Sequence, residues 1–464
     1  MATQDKYARL KSDTVLAPLG QALVNLSRAN TEQLLSDASQ LMRSRRTEAA
    51  AILNRLKEMN AIVATQFRPK QDALSLLNLR MICSQLPPSD NFSLPSFIVV
   101  SYCWHYPQWP LSRAAKPIAP GWDISRPMID AVMGVRENDS EGVWLDKLCI
   151  NQADPVDKEV HIGAMDMIYR SARRVVILLE DVQLNKDEEA AGLAYAAFYA
   201  DLNRIVKERD LRGKEKSEFI DKWFPSQEKE YHDSGRGHEL AAIKSFAMNI
   251  LEARWYSRAW CAHESRVAPH KKVNNPLFLC FGHDGRVLSF EFRFVFYMSI
   301  YLQDKETPLD DEDLVGNGLQ MTLNDPEPKT LYQLRMRIQR LHAVYEPDTS
   351  ALQHLVNILS FGCFLKGDLM SIALNTSGIP LCFDGKLDAP DDIIWIFSLL
   401  VLAAGDLVPL IEGAFKVRIP DATAPNGMVI SWAPRLTQGT LVNRLPEMSP
   451  GTITAAAREY IELD

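Results

Sequence analysis

Apolar residues recur at three- and four-residue steps through the first eighty positions, where Leu23, Leu26, Leu34, Leu35, Leu41 and Met42 fall on one helical stripe. The spacing predicts a helical N-terminal region over residues 1–90. Leu86-Pro87-Pro88 and Ser89-Asp90-Asn91 break the pattern, and a new unit is expected from about residue 91. There the pattern changes to short, mainly apolar runs, Phe97 to Tyr102, Gly142 to Asp146 and Arg174 to Leu179. Runs of this kind are strands covered on both faces. Between the second and third, Asp154-Pro155 reads as an N-cap followed by proline at the first helical position, with Val160, Ala164, Met167 and Ile168 on one face. Strand, helix and strand at this spacing form a βαβ unit, so the class is α/β with a mainly parallel sheet.

From Leu184 to about Ile250 the chain turns charge-rich, as in Lys207-Glu208-Arg209-Asp210, and a helical surface insertion is expected over 184–250. The unit that contains it runs over 91–270, and residues 271–464 follow as a mixed, largely helical region. That last region has a strand signal at Leu277 to Phe281, a linker from Asp304 to Thr330, and a strongly apolar stretch from Ile393 to Gly405. The stretch is broken by Ser398 and falls short of the ~20 residues that cross a bilayer, so it predicts a buried helix and no membrane span.

Composition narrows the function. Of 464 residues, 47% are hydrophobic and 24% charged, the balance of a chain with a packed core. A net charge of -8 excludes a protein built to neutralise nucleic-acid phosphates. The chain opens on Thr3, Gln4, Asp5 and Lys6 without the apolar core of a signal peptide, and its seven cysteines form no Cys-x-x-Cys pair. Reduced thiols and a cytoplasmic location are expected.

Three clusters carry the chemistry: Val100-Ser101-Tyr102-Cys103-Trp104-His105, Trp144 through Gln152, and Arg254 through Glu264. The first two start in buried strands and end in polar residues just past the carboxyl end, where open α/β sheets bind ligands. Asp146, Asn151 and Gln152 deliver a carboxylate and two amides to that rim, either to a ligand or to the backbone of their own loop. In the third cluster Ser257 is placed to cap a helix, with Trp260, Cys261 and Glu264 three or four residues apart on one face. Glu264 is either paired with Arg258 or Arg266 or held as a working acid.

In this order the clusters resemble the fungal heterokaryon incompatibility (HET) domain. The matching pieces are Ser101-Tyr102-Cys103-Trp104, then Leu145-Asp146 with Cys149-Ile150-Asn151-Gln152, then Met165 with Ile168-Tyr169 and Ala172, then Trp255 through Glu264. The resemblance covers about residues 95–268, and its most specific block is Cys149 to Gln152. It implies a TIR-like, flavodoxin-like sheet core flanked by helices, since HET domains are regarded as distant relatives of TIR domains. Trp260-Cys261-Ala262-His263-Glu264 is similar to the TIR Trp-Cys-x-x-Glu segment, whose glutamate is catalytic in NAD-cleaving members. Glu264 is therefore implied as catalytic, with Asp146 as a second catalytic candidate and Tyr102, Cys103, Trp104, Asn151, Gln152 and Trp260 around the nucleotide. A carboxylate suits that chemistry, because positive charge grows on the ribose as neutral nicotinamide leaves. NAD+ is then the substrate, and no cofactor or metal is required.

Two positions depart from the family pattern. His105 stands where glycine is usual after the first tryptophan, and His263 stands where glutamine usually precedes the final glutamate. Both add an imidazole able to exchange protons near neutral pH. The resemblance implies non-self recognition and cell-death signalling, with a nucleotide or other small-molecule ligand, self-association and a protein partner. Two other readings stay open: a small-molecule enzyme of specialised metabolism using His105, Asp146 and His263 as acid and base, and a non-catalytic self-associating module. A zinc-protease motif is ruled out because His238-Glu239 meets Ala242 where the second histidine belongs, and no phosphate-binding glycine loop is present.

Overall fold

The computed structural model describes residues 16–84, 94–104, 124–235, 238–267, 276–303, 351–359, 361, 363, 366–385, 390–406, 416–419 and 428–431. Its centre is a seven-stranded sheet of β1 (Gln21–Asn25), β2 (Arg80–Ser84), β3 (Phe97–Tyr102), β4 (Gly142–Leu145), β5 (Arg174–Gln183), β6 (Leu277–Phe281) and β7 (Val287–Glu291). The spatial order is β1-β2-β4-β3-β5-β6-β7. The inner strands β4, β3, β5 and β6 run parallel, while β1–β2, β2–β4 and β6–β7 pair antiparallel. All three runs expected as buried strands are present, and every residue of β3 and β4 is buried. Because β4 follows β3 in the chain but lies on the opposite side of it from β5, the direction of winding reverses at β3. In open α/β sheets ligands bind at the carboxyl ends of the strands at such a reversal.

The N-terminal region is not helical throughout. Gln21–Asn25 and Arg80–Ser84 form a two-stranded extension of the central sheet, in register from Gln21 opposite Ser84 to Asn25 opposite Arg80. Their apolar residues meet helical spacing locally, but pairing along a sheet edge decides the conformation. Phe67–Pro69 pairs with Leu381–Phe383 of the C-terminal region.

The helices that bear on the site are α1 (Arg46–Met59), α2 (Lys70–Leu76), α3 (Arg126–Val135), α4 (Pro155–Gly163), α5 (Met165–Ser171), α6 (Lys186–Glu208), α7 (His238–Leu251), α8 (Ala259–Val267), α9 (Lys366–Ser377) and α10 (Pro390–Ala403). Asp154 caps α4 as expected, accepting from the Val156 and Asp157 amides at 3.0 and 3.3 Å. Within the charged insertion α7 is not a surface helix. Ile243, Phe246, Ala247 and Ile250 are buried, and Gly192 of α6 gives room for the Phe246 ring, which a Cβ at that position would meet at 2.6 Å.

The apolar stretch from Ile393 is the buried helix α10, with Ile393, Phe397, Leu400 and Val401 in the core. Among the described residues no helix is long and apolar enough to cross a membrane. The segment expected as a linker, 304–330, lies outside the described residues, as do parts of the chain end.

Three regions of the chain meet at one buried polar contact. Lys70 of α2 donates to Asp166 of α5 at 2.9 Å and to Asn375 of α9 at 2.7 Å, and Asn375 donates in turn to the Ile162 carbonyl at 3.0 Å. Lys70 is 1% exposed and Asp166 3%, so neither charge is compensated by water. Arg55 of α1 adds a bond to the Ala403 carbonyl at the end of α10 at 2.5 Å.

Candidate functional site

The site lies where β3, β4 and β5 end. Ser101 and Tyr102 close β3, Asp146 follows β4 directly, and β5 continues past Leu178, the partner of Tyr102, to Gln183 and carries Asp181 on the way. Leu145 is extended, and a single helical turn, Asp146–Cys149, turns the chain out of the sheet. The Lys147 amide donates to Asp146 Oδ1 at 2.5 Å and the Trp104 indole to Oδ2 at 3.1 Å. The Lys147 ammonium stands 5.8 Å from the centre of the Trp104 ring.

Glu264 reaches the same rim from α8. Ser101 donates its hydroxyl proton to Glu264 Oε2, Tyr169 of α5 donates to Oε1 at 3.1 Å, and the Trp255 indole donates to the Ser101 oxygen at 2.6 Å. Trp255 is completely buried and Glu264 is 8% exposed. Ser257 does not cap α8. It sits in the 3-10 turn Arg254–Ser257 and donates to the Arg254 carbonyl at 2.7 Å, because α8 begins two residues later, at Ala259.

Arg258, between that turn and α8, is the cation common to both acids. Its guanidinium donates to the Tyr102 carbonyl at 2.6 Å. Burial opposes its charge, but Cys103, Cys261, Glu264 and Asp146 surround it and hold its pKa above the ordinary range. Burial raises Asp146, against the opposing pull of Arg258, Trp104 and the Lys147 amide. Burial likewise raises Glu264, opposed by Arg258 and Ser101, and the charge of Asp146 raises it further. Two carboxyls thus share one guanidinium within reach of each other's field, the arrangement that pushes the titrations of an acid pair apart. Of the two arginines the sequence offers to Glu264, Arg258 acts on its charge, and the Arg266 side chain lies outside the described ones.

The other expected residues divide. Trp260 is half-buried beside Glu264, with its indole N–H on Asp368 at 3.4 Å. Asn151 and Gln152 are exposed and serve their own loop, Asn151 accepting from the Ala153 amide and Gln152 donating to the Asp146 carbonyl, both at 3.3 Å. Beneath them Asp157 accepts from the Asn151 amide at 2.7 Å and from Arg80 of β2. His263 is wholly buried, its ring edge-on to Tyr169 and Trp260 at 5.7 and 5.8 Å. His105 lies outside the described residues.

Burial pushes the Cys103 thiol up to about 11 and Cys261 well above its usual value. Neither is a thiolate nucleophile near neutral pH.

Glu189, His283 and Asp284 bring metal-ligand atoms together, but Arg286 and His283 already hold the Glu189 carboxylate. Ser101, Trp255 and Arg258 stood inside the sequence clusters, and Tyr169 in the Met165 to Ala172 piece of the resemblance, without being singled out as site residues. Asp368 gave no sequence signal at all.

Residues 97–264 match the family model described as heterokaryon incompatibility protein (HET). These residues form a HET domain. The match begins at the first residue of β3 and ends at Glu264, so it contains both carboxylates and Arg258. The HET domain relates the chain to heterokaryon incompatibility and to a fungal context. No curated protein and no solved structure matches the chain.

Proposed function

We propose that the HET domain cleaves the bond between nicotinamide and ribose in NAD+, and that this reaction is its output in non-self recognition and cell death. The observation that carries the reading is the gathering of Glu264, Asp146 and Arg258 at the carboxyl ends of β3 and β4. Counted within the HET domain and its continuation, the four parallel strands run second, first, third, fourth across the sheet, which supports a flavodoxin-like or TIR-like core with its ligand at the reversal.

In the reaction the C1′–N bond breaks, nicotinamide departs as a neutral molecule with the bonding pair, and positive charge collects on the ribose. Glu264 offsets that charge, its orientation fixed by Ser101 and Tyr169. Water adds to C1′ and gives its proton to Asp146 or to solvent, leaving ADP-ribose. Arg258 keeps the two acids from neutralising each other and binds the nucleotide's negative groups. Trp104 and Trp260 offer ring faces for stacking.

The test is to incubate the full chain with NAD+ over a range of protein concentrations and quantify released nicotinamide, with Glu264→Gln as control. Release by the natural sequence and none by the variant is expected. No release at any concentration contradicts the proposal and leaves a self-associating module or an enzyme acting on another small molecule.

A further inference from the structure

Asp368 opens α9, outside the residues matched to the HET family, yet it touches the site. Its carboxylate accepts the Trp260 indole N–H at 3.4 Å, and α9 packs along α8, the helix that carries both Trp260 and Glu264. Lys158 and Arg258 are the charged groups near enough to act on it, and both oppose the effect of its burial.

The far half of α9 is fixed. Asn375 is bonded to Lys70, which is itself paired with Asp166, and all three side chains are buried. Moving α9 away as a lid would pull an acceptor from a buried ammonium, and a buried charge stripped of partners is strongly unfavourable. The first turn of α9 is therefore a standing wall. Trp260 is held on two sides, by the ring of His263 edge-on at 5.8 Å and by Asp368 at its N–H.

We infer that Asp368 is a positioning residue of the nucleotide site, fixing the Trp260 indole as a flat surface for the planar ring of the ligand. The C-terminal region thus completes a site whose acids and guanidinium belong to the HET domain. The ligand in this inference rests on the function proposed above. The orientation of Trp260 does not.

Both parts are testable on the full chain. With 5-fluorotryptophan incorporated and the Trp260 fluorine resonance assigned through Trp260→Phe, Asp368→Leu and Asp368→Ala should shift and broaden that resonance. Asp368→Asn, whose amide oxygen still accepts, should restore it. Calorimetric titration with NAD+ should show binding weakened about five- to tenfold by Leu or Ala, the scale of one lost hydrogen bond, with most of the loss recovered by Asn. An unchanged Trp260 signal in the Leu and Ala variants overturns the positioning role. A shifted signal with unchanged NAD+ binding overturns the role in the site. A natural chain that binds no NAD+ overturns the nucleotide reading and the ligand part of this one together, while the fluorine comparison still decides the positioning.

Discussion

Ser101 and Glu264 lie 163 positions apart and are joined by a buried hydrogen bond, with the Trp255 indole on the same hydroxyl at 2.6 Å. The serine accepts from one side and donates to the other, so one hydroxyl connects the end of β3 to the turn before α8 and to α8 itself. Ser101→Ala leaves the Trp255 N–H and a Glu264 oxygen unbonded inside the protein. The expected cost is about 2 kcal/mol, read as a lowered urea midpoint with unchanged slope. Trp255→Phe, which removes the donor as well, should cost less through hydrogen bonding and more through packing.

Arg258 is expected to matter for stability as much as for ligand binding. Arg258→Met leaves Asp146 and Glu264 without their common cation, and a loss of about 3 kcal/mol is expected. Both acids are raised already, and removing the guanidinium raises them further, so the variant is hurt most where they must ionise. Its deficit in denaturant titrations should be larger at pH 8 than at pH 5. Equal deficits at both would mean that Arg258 acts through its bond to the Tyr102 carbonyl alone.

How far the sequence reaches is visible in these same residues. β3, β4 and the first half of β5 were legible because strands buried on both faces leave unbroken apolar runs, and α4 because Asp154-Pro155 is a local start signal. Glu264 and Trp260 were legible as neighbours through their spacing on one helix. The strands Gln21–Asn25 and Arg80–Ser84 were not, since what makes them strands is each other, across more than fifty residues of intervening chain. Long-range pairing also hid Ser101 with Trp255, Tyr169 with Glu264, and Asp368 with Trp260. The spacing on one helix also hid the rings that His263 meets edge-on, Tyr169 and Trp260.

Glu180 sets a pH dependence of its own. It accepts from the Ser125 amide and hydroxyl at 2.8 and 3.2 Å, and burial pushes it up to about 7 from 4.5. A folded-state value above the unfolded one means that protonation favours the fold. The contribution is complete below about pH 4.5 and is lost as pH rises to about 7. Glu180→Gln should remove this part of the slope, measured as urea midpoints at half-unit pH steps. The same slope in both proteins would contradict the assignment.

The Lys70–Asp166 pair predicts non-additive mutants. Lys70→Met or Asp166→Leu alone should each cost about 3–5 kcal/mol by leaving one buried charge unpaired, while the double variant should recover much of that loss. A double-mutant cycle in urea reads the coupling directly. Simple additivity would show that the pair contributes nothing beyond packing.

The central claim is that Asp146 and Glu264 line one nucleotide-sized site around Arg258. Calorimetric titration of the full chain with NAD+, for the natural sequence, Asp146→Asn, Glu264→Gln and the double variant, tests it most directly. Saturable one-site binding is expected, altered by each substitution, with the double variant departing from the sum of the two. Absence of NAD+ binding, or strictly additive effects of the two substitutions, would contradict a shared site.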